Sequence, residues 1–186
     1  MVMSMIETKV NDVSNEYAIA LFDLAKENKE IDLVYQNLKV LVDSIRENND
    51  FLKIINSFTI STEEKKKIIK DILNLKEENY FLYFLYVLID NNRFDQLGNI
   101  LSSYYNFILR LNNQMEVTVY TKYSLTKEQR KNLTNKLEKD FNKKIILTEI
   151  VDNTLTGGLK LVTNDLVYDY TIDGQLNELK DKLMKG

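Results

Sequence analysis

The chain has 186 residues, enough for one or two small domains, and its 44% hydrophobic and 28% charged content suits a folded protein and argues against disorder. With no cysteine and no histidine it can form no disulfide, zinc–thiolate centre or thiol nucleophile, and it lacks the commonest general base and transition-metal ligand. A net charge of −3 with the signs interspersed, and a single basic run (Lys65-Lys66-Lys67) set beside Glu63 and Glu64, argue against nucleic acid as a partner.

The first residues carry neither a signal-peptide nor an Arg-rich transit-peptide pattern, so the chain is expected to stay in the cytosol where it is made. Proline is absent and glycines number only five, so helices meet few covalent breaks. Met1 to Asn11 reads as a loose lead-in. A first helix follows from about Asp12 to Asn28, with Val13, Tyr17, Ala20, Leu21 and Leu24 as its apolar face. Ala18, Ala20 and Ala25 keep it narrow, so another helix can approach closely. In the second helix Ile31, Val34, Leu38, Leu41 and Ile45 are spaced 3, 4, 3, 4. The polar cluster Glu47-Asn48-Asn49-Asp50 ends it, and a short third helix spans Phe51 to Asn56.

Ser61-Thr62-Glu63-Glu64 is a capping box opening a fourth helix with Ile68, Ile69, Ile72 and Leu73. The fifth helix is the uncharged run Tyr80–Ile89, preceded by Glu77 and Glu78. A membrane span needs roughly 20 apolar residues, so this run is too short for one. As a helix about 15 Å long and apolar all round, it must be covered on every side, by its own domain or by another chain. The sixth helix begins near Arg93. Its stripe Phe94, Leu97, Leu101, Tyr104, Ile108 and Leu111 is spaced 3, 4, 3, 4, 3 and predicts packing along its whole length. Residues up to about 111 thus read as an all-helical bundle of five or six helices.

At Asn112-Asn113-Gln114 the period changes. Met115, Val117 and Val119 alternate with polar residues, as in a strand with one buried face. Thr126 to Gln129 is a second capping box, opening a helix with Leu133, Leu137 and Phe141 on one side. Lys144 to Val151 reads as a strand. Gly157-Gly158 breaks the chain, Leu159–Val162 and Leu166–Tyr170 form a hairpin around Thr163-Asn164-Asp165, and a last helix carries Ile172, Leu176, Leu179 and Leu183. The order is strand, helix, strand, strand, strand, helix in about 70 residues, a marginal core expected to be steadied by partners or to be mobile.

Chemistry finds little footing. Asp169, Thr171, Asp173 and Gly174 mimic the first half of a calcium loop, but Lys180 stands where a bidentate Glu is needed. Gly157-Gly158 lacks the Lys-Ser or Lys-Thr of a phosphate cradle. Asp152, Asp165 and Asp169 could form a carboxylate pair for hydrolysis, yet each lies at a strand end or turn, where Asp bonds locally. What remains is surface. Tyr17, Ala20 and Leu24 on the first helix, with Tyr80, Tyr83, Phe84 and Val87 on the fifth, offer aromatic anchors beside small residues, a groove suited to an amphipathic helix.

Several stretches, in order along nearly the whole chain, resemble the delta subunit family of the bacterial F-type ATP synthase, whose mitochondrial counterpart is the oligomycin-sensitivity-conferring protein. They are Tyr17-Ala18-Ile19-Ala20-Leu21-Phe22-Asp23-Leu24-Ala25, Phe51-Leu52, Glu64-Lys65 and Asn91-Asn92-Arg93. Towards the C-terminus they are Val151-Asp152 with Leu155 and Gly157-Gly158, then Asp169, Thr171, Gly174-Gln175-Leu176 and Leu179. Departures are Phe58 for a proline, Tyr170 for a small residue and Asp173 for a basic one.

The resemblance implies an α+β chain. Residues 1–114 would be an N-terminal all-α six-helix bundle that binds the N-terminal helix of an alpha subunit between its first and fifth helices. Residues 115–186 would be a small C-terminal α/β domain that binds the end of the b-subunit coiled coil. Tyr17, Ala20, Phe84 and Val87 would line the alpha-subunit site, and Asp152, Gly157, Gly158, Asp169 and Gly174 would be structural. The implied role is a non-catalytic peripheral-stalk subunit coupling proton-driven rotation to ATP synthesis. It would have no cofactor and no nucleic-acid partner, and would reach the cytoplasmic face of a bacterial cell membrane only through the complex. The alternative expectation is a helical regulatory adaptor using the same groove without ATP synthase.

Overall fold

The structure, a computed structural model, describes residues 12–47, 53–55, 57, 59–73, 79–164 and 166–185. The expected lead-in (1–11), Asn48-Asn49-Asp50, Phe51, Leu52, Asn56, Phe58, Glu77, Glu78 and Asp165 lie outside the described residues. The chain is a mixed α+β protein. It divides within a helix, between Ile108 and Leu109, into two compact units.

The first unit is helical: α1 (Asp12–Glu27), α2 (Ile31–Glu47), α3, of which 53–55 are described, α4 (Thr62–Leu73) and α5 (Tyr80–Asp90). A 3₁₀ turn at Phe94–Gln96 leads into α6 (Leu97–Leu111). The capping box of α4 forms, with Glu64 N–H donating to the Ser61 hydroxyl and Ser61 N–H to the Glu64 carboxylate. Asn79 caps α5, its side-chain oxygen accepting from Phe81 N–H at 2.8 Å, and Asn91 closes the other end by donating to the Val87 carbonyl.

The stripe of α2 is buried as its spacing predicts, with Ile31 half-buried. Two other stripes differ. In α1 the face turned to the core is Ala18, Leu21 and Ala25, all fully buried, so Ala20 and Leu24 face solvent. The two alanines explain the rotation: a helix with small residues on one face approaches its neighbours along that face, although these residues carry little hydrophobicity. In α6 the stripe is buried or half-buried from Phe94 to Ile108, but its last member, Leu111, is exposed. Tyr104, fully buried, donates its hydroxyl to the Ile31 carbonyl at 3.1 Å and meets Phe22 edge-on.

The second unit holds β1 (Gln114–Thr121), α7 (Lys127–Phe141), β2 (Lys144–Val151), β3 (Gly158–Val162), β4 (Val167–Thr171) and α8 (Ile172–Lys185). The sheet order is β2-β1-β3-β4. β1 and β2 pair in parallel across the α7 crossover, and the other two pairs are antiparallel. Val117 and Val119 of β1, Leu137 of α7, Ile145 of β2 and Leu161 of β3 make the core. The Thr126–Gln129 capping box forms. Glu149 of β2 accepts from Leu125 N–H and pairs with Arg130, which pins the loop ahead of α7 to the sheet.

The last helix departs from its amphipathic pattern. Ile172, Leu176, Leu179 and Leu183 form a regular apolar stripe, yet all four are exposed, Leu183 by 84%. α8 rests on β4, and its stripe has no cover in the chain's described residues.

Candidate partner-binding surfaces

The α1–α5 surface is built by two helices that touch at one side. The rings of Tyr17 and Phe84 meet edge-on with centroids 6.3 Å apart. The Tyr80 hydroxyl donates to Glu30 just past α1, at 2.8 Å. Burial, then this bond, pushes the Tyr80 hydroxyl well above its ordinary value, so it remains a donor at neutral pH. Because Tyr17 meets Phe84 while Glu30 meets Tyr80, the two helices run antiparallel.

Phe81, Leu82, Phe84, Leu85, Leu88 and Ile89 bury most of α5. Between them one flank stays open: Tyr83 is 55% and Val87 45% exposed. Ala20 and Leu24 of α1 are exposed as well. Of the seven residues expected to form a groove, Tyr17, Tyr80 and Phe84 thus tie the helices together, and Ala20, Leu24, Tyr83 and Val87 are left as open apolar surface. On the far flank of α5, Lys66 of α4 bridges Asp90 at 2.8 Å and lies over the Tyr86 ring. Sequence reading missed Glu30 and Lys66, whose partners lie 50 and 24 positions along the chain.

The expected C-terminal motif residues gather around the start of β3, the end of β4 and the start of α8. Gly157 carbonyl accepts from Ile172 N–H at 3.1 Å. Gly158 has φ of +81°, and a Cβ there would lie 2.3 Å from the Tyr170 carbonyl oxygen. Asp169 accepts from the Thr171 hydroxyl and amide, and the same hydroxyl accepts from Gly174 N–H, capping α8. A Cβ on Gly174 would meet the Asp169 carboxylate at 2.7 Å. Burial alone pushes Asp169 up, but the two Thr171 bonds and Lys160, its cross-strand partner, outweigh this and hold its carboxyl below its ordinary value. Asp152 stands one turn away in sequence order from this corner. It accepts from the Thr154 hydroxyl and amide, which, with Lys160, lower its carboxyl too. Lys160, the cation shared by both, was not singled out by the sequence, because strand register is needed to place it.

The model of the ATP synthase delta (OSCP) subunit family matches residues 13–183. The chain belongs to that family. Among its relatives, ATP synthase subunit delta of Clostridium botulinum (strain Loch Maree / Type A3) is 35% identical over 173 residues, 93% of this chain and 97% of the relative. ATP synthase subunit delta of Clostridium kluyveri (strain ATCC 8527) is 33% identical over 174 residues, 94% and 96% of the two chains. In solved structures, a chain of the Toxoplasma gondii mitochondrial ATP synthase hexamer shares the fold, with a TM-score of 0.69 over 92% of this chain and 97% of that one, at 18% identity. At the C-terminal corner Asp169 bonds to Thr171, and the Thr171 hydroxyl caps α8 at Gly174. Among the described residues no helix is long and apolar enough to cross a membrane.

Proposed function

We infer that this protein is a peripheral-stalk subunit of an F-type ATP synthase, linking the catalytic head to the stalk so that the head cannot turn with the central shaft. Family membership over residues 13–183 carries this reading and favours it over a generic helical adaptor. The finer assignments follow from the open surfaces. The helical unit, read as a six-helix bundle within residues 1–114, receives the N-terminal helix of an alpha subunit on Ala20, Leu24, Tyr83 and Val87, with Tyr17 and Phe84 at its base. That surface has the form of a helix-in-groove site, apolar positions one turn apart on two neighbouring helices. The α+β unit, residues 115–186, takes the end of the b-subunit coiled coil along α8. There Ile172, Leu176, Leu179 and Leu183 repeat at the 4, 3, 4 spacing that a coiled-coil helix matches. The subunit is non-catalytic, needs no cofactor, and is held at the cytoplasmic face of the bacterial cell membrane through the complex.

Calorimetric titration of the full chain with a peptide of the cognate alpha subunit's N-terminal helix tests the head contact. One-to-one binding with a negative heat-capacity change is expected. A folded chain that gives no heat with this peptide removes the groove assignment.

A further inference from the structure

The groove is not electrically symmetric. On α1, Glu16, Asp23 and Glu27 are all exposed. At about 100° per residue they fall within an arc of about 40°, next to Ala20 on the side away from the core. None of the three makes a salt bridge among the described residues. Along the opposite border Lys66 is already balanced by Asp90 at 2.8 Å and Glu63 at 3.7 Å. The open face of α5 itself is neutral: no charged residue lies between Tyr80 and Ile89. One edge of the groove therefore carries three acids of which none is ion-paired, although Lys26 lies on the same helix, whereas Lys66 on the other edge is already paired.

Building on the groove assignment above, we propose that Glu16, Asp23 and Glu27 form a specificity edge that selects an amphipathic partner helix with Lys or Arg along one side only. The apolar floor supplies attraction without fixing how the incoming helix is rolled about its axis. The acidic edge fixes it: basic residues at matching one- and two-turn intervals sit over α1, and the uncharged side of the helix faces Tyr83. A helix with acids on that edge meets three like charges, so the edge also rejects wrong partners. All three residues are exposed, so the effect is largest at low salt, where the Debye length of about 10 Å at 0.1 M spans the edge, and fades near 1 M, where it is about 3 Å.

Two designed helical peptides with the same apolar stripe test this, one with Lys and one with Glu along a single edge, each titrated into the full chain. The Lys-edge peptide is expected to bind about tenfold more tightly at about 0.1 M salt and to lose that advantage near 1 M. The triple variant Glu16→Gln, Asp23→Asn, Glu27→Gln should bind the two peptides alike. Equal binding of both peptides to the unaltered chain, blocked in each case by Ala20→Trp, overturns the acidic edge and leaves the groove standing. If neither peptide binds the folded chain, the groove assignment fails and the edge with it.

Discussion

Val87 shows how much one side chain of the groove decides. It is 45% exposed while Phe84, one turn before it, is 8% exposed, so the pair marks the line between core and open surface. Because Val87 contributes little to the core, Val87→Asp leaves the fold intact. Under a docked helix, however, the new carboxylate would be desolvated, and Lys66 nearby is already engaged by Asp90 and Glu63. The expected cost is about 2–4 kcal/mol of binding to the alpha-subunit peptide, roughly 30- to 1,000-fold. Affinity unchanged by calorimetry would remove Val87 from the contact. At the C-terminal corner Asp169 carries a pH signature. Its folded carboxyl titrates below the ordinary 3.8, so its contribution to stability is present above that value and is lost as pH falls through the lower, folded one. Asp169→Asn should therefore destabilise β3 and β4 at neutral pH, and the gap to the unaltered chain should close as pH falls below 3.8 and through the lower, folded value. Amide hydrogen exchange in these strands reads this directly, and a gap that widens on acidification would show that the carboxylate is not the stabilising form.

Elements differ in how much of their role was written in the sequence. The strand alternation of β1, the two capping boxes and the stripe of α2 needed only local pattern, because each depends on residues within a few turns. The expected face of α1 is right in part: Leu21 is buried and Tyr17 packs against the core, but Ala20 and Leu24 are exposed. Periodicity weights large apolar residues, and Ala18 and Ala25, which the core uses, weigh little beside Tyr17 and Leu24. α8 was legible as amphipathic but not as uncovered, since a stripe states that a face is apolar and says nothing of what meets it. That difference is testable. If α8 docks on a coiled coil, Leu176→Ser with Leu179→Ser should change the stability of the chain by less than about 1 kcal/mol, as exposed positions do. The same pair should weaken capture of the b subunit's C-terminal segment at least tenfold. A large loss of stability with capture unchanged would mean that the stripe is packed within the chain instead.

At the scale of the molecule the proposed work is mechanical. A link that resists torque through two contacts fails at the weaker one, so the contacts act in series. The groove variant Val87→Asp and the α8 pair Leu176→Ser, Leu179→Ser touch different units of the chain, on either side of the division at Ile108 and Leu109. Each should let the head slip relative to the stalk. In membrane vesicles carrying the assembled enzyme, ATP-driven proton pumping should fall in either variant while ATP hydrolysis persists, as the proposed non-catalytic role requires. Combining the variants should then do little further harm to pumping, since a link already broken at one end gains nothing from being broken at the other. Independent contributions of the two contacts to coupling would instead multiply the losses. Hydrolysis falling in step with pumping would point to a role in the catalytic cycle itself, and the series arrangement would have to be abandoned.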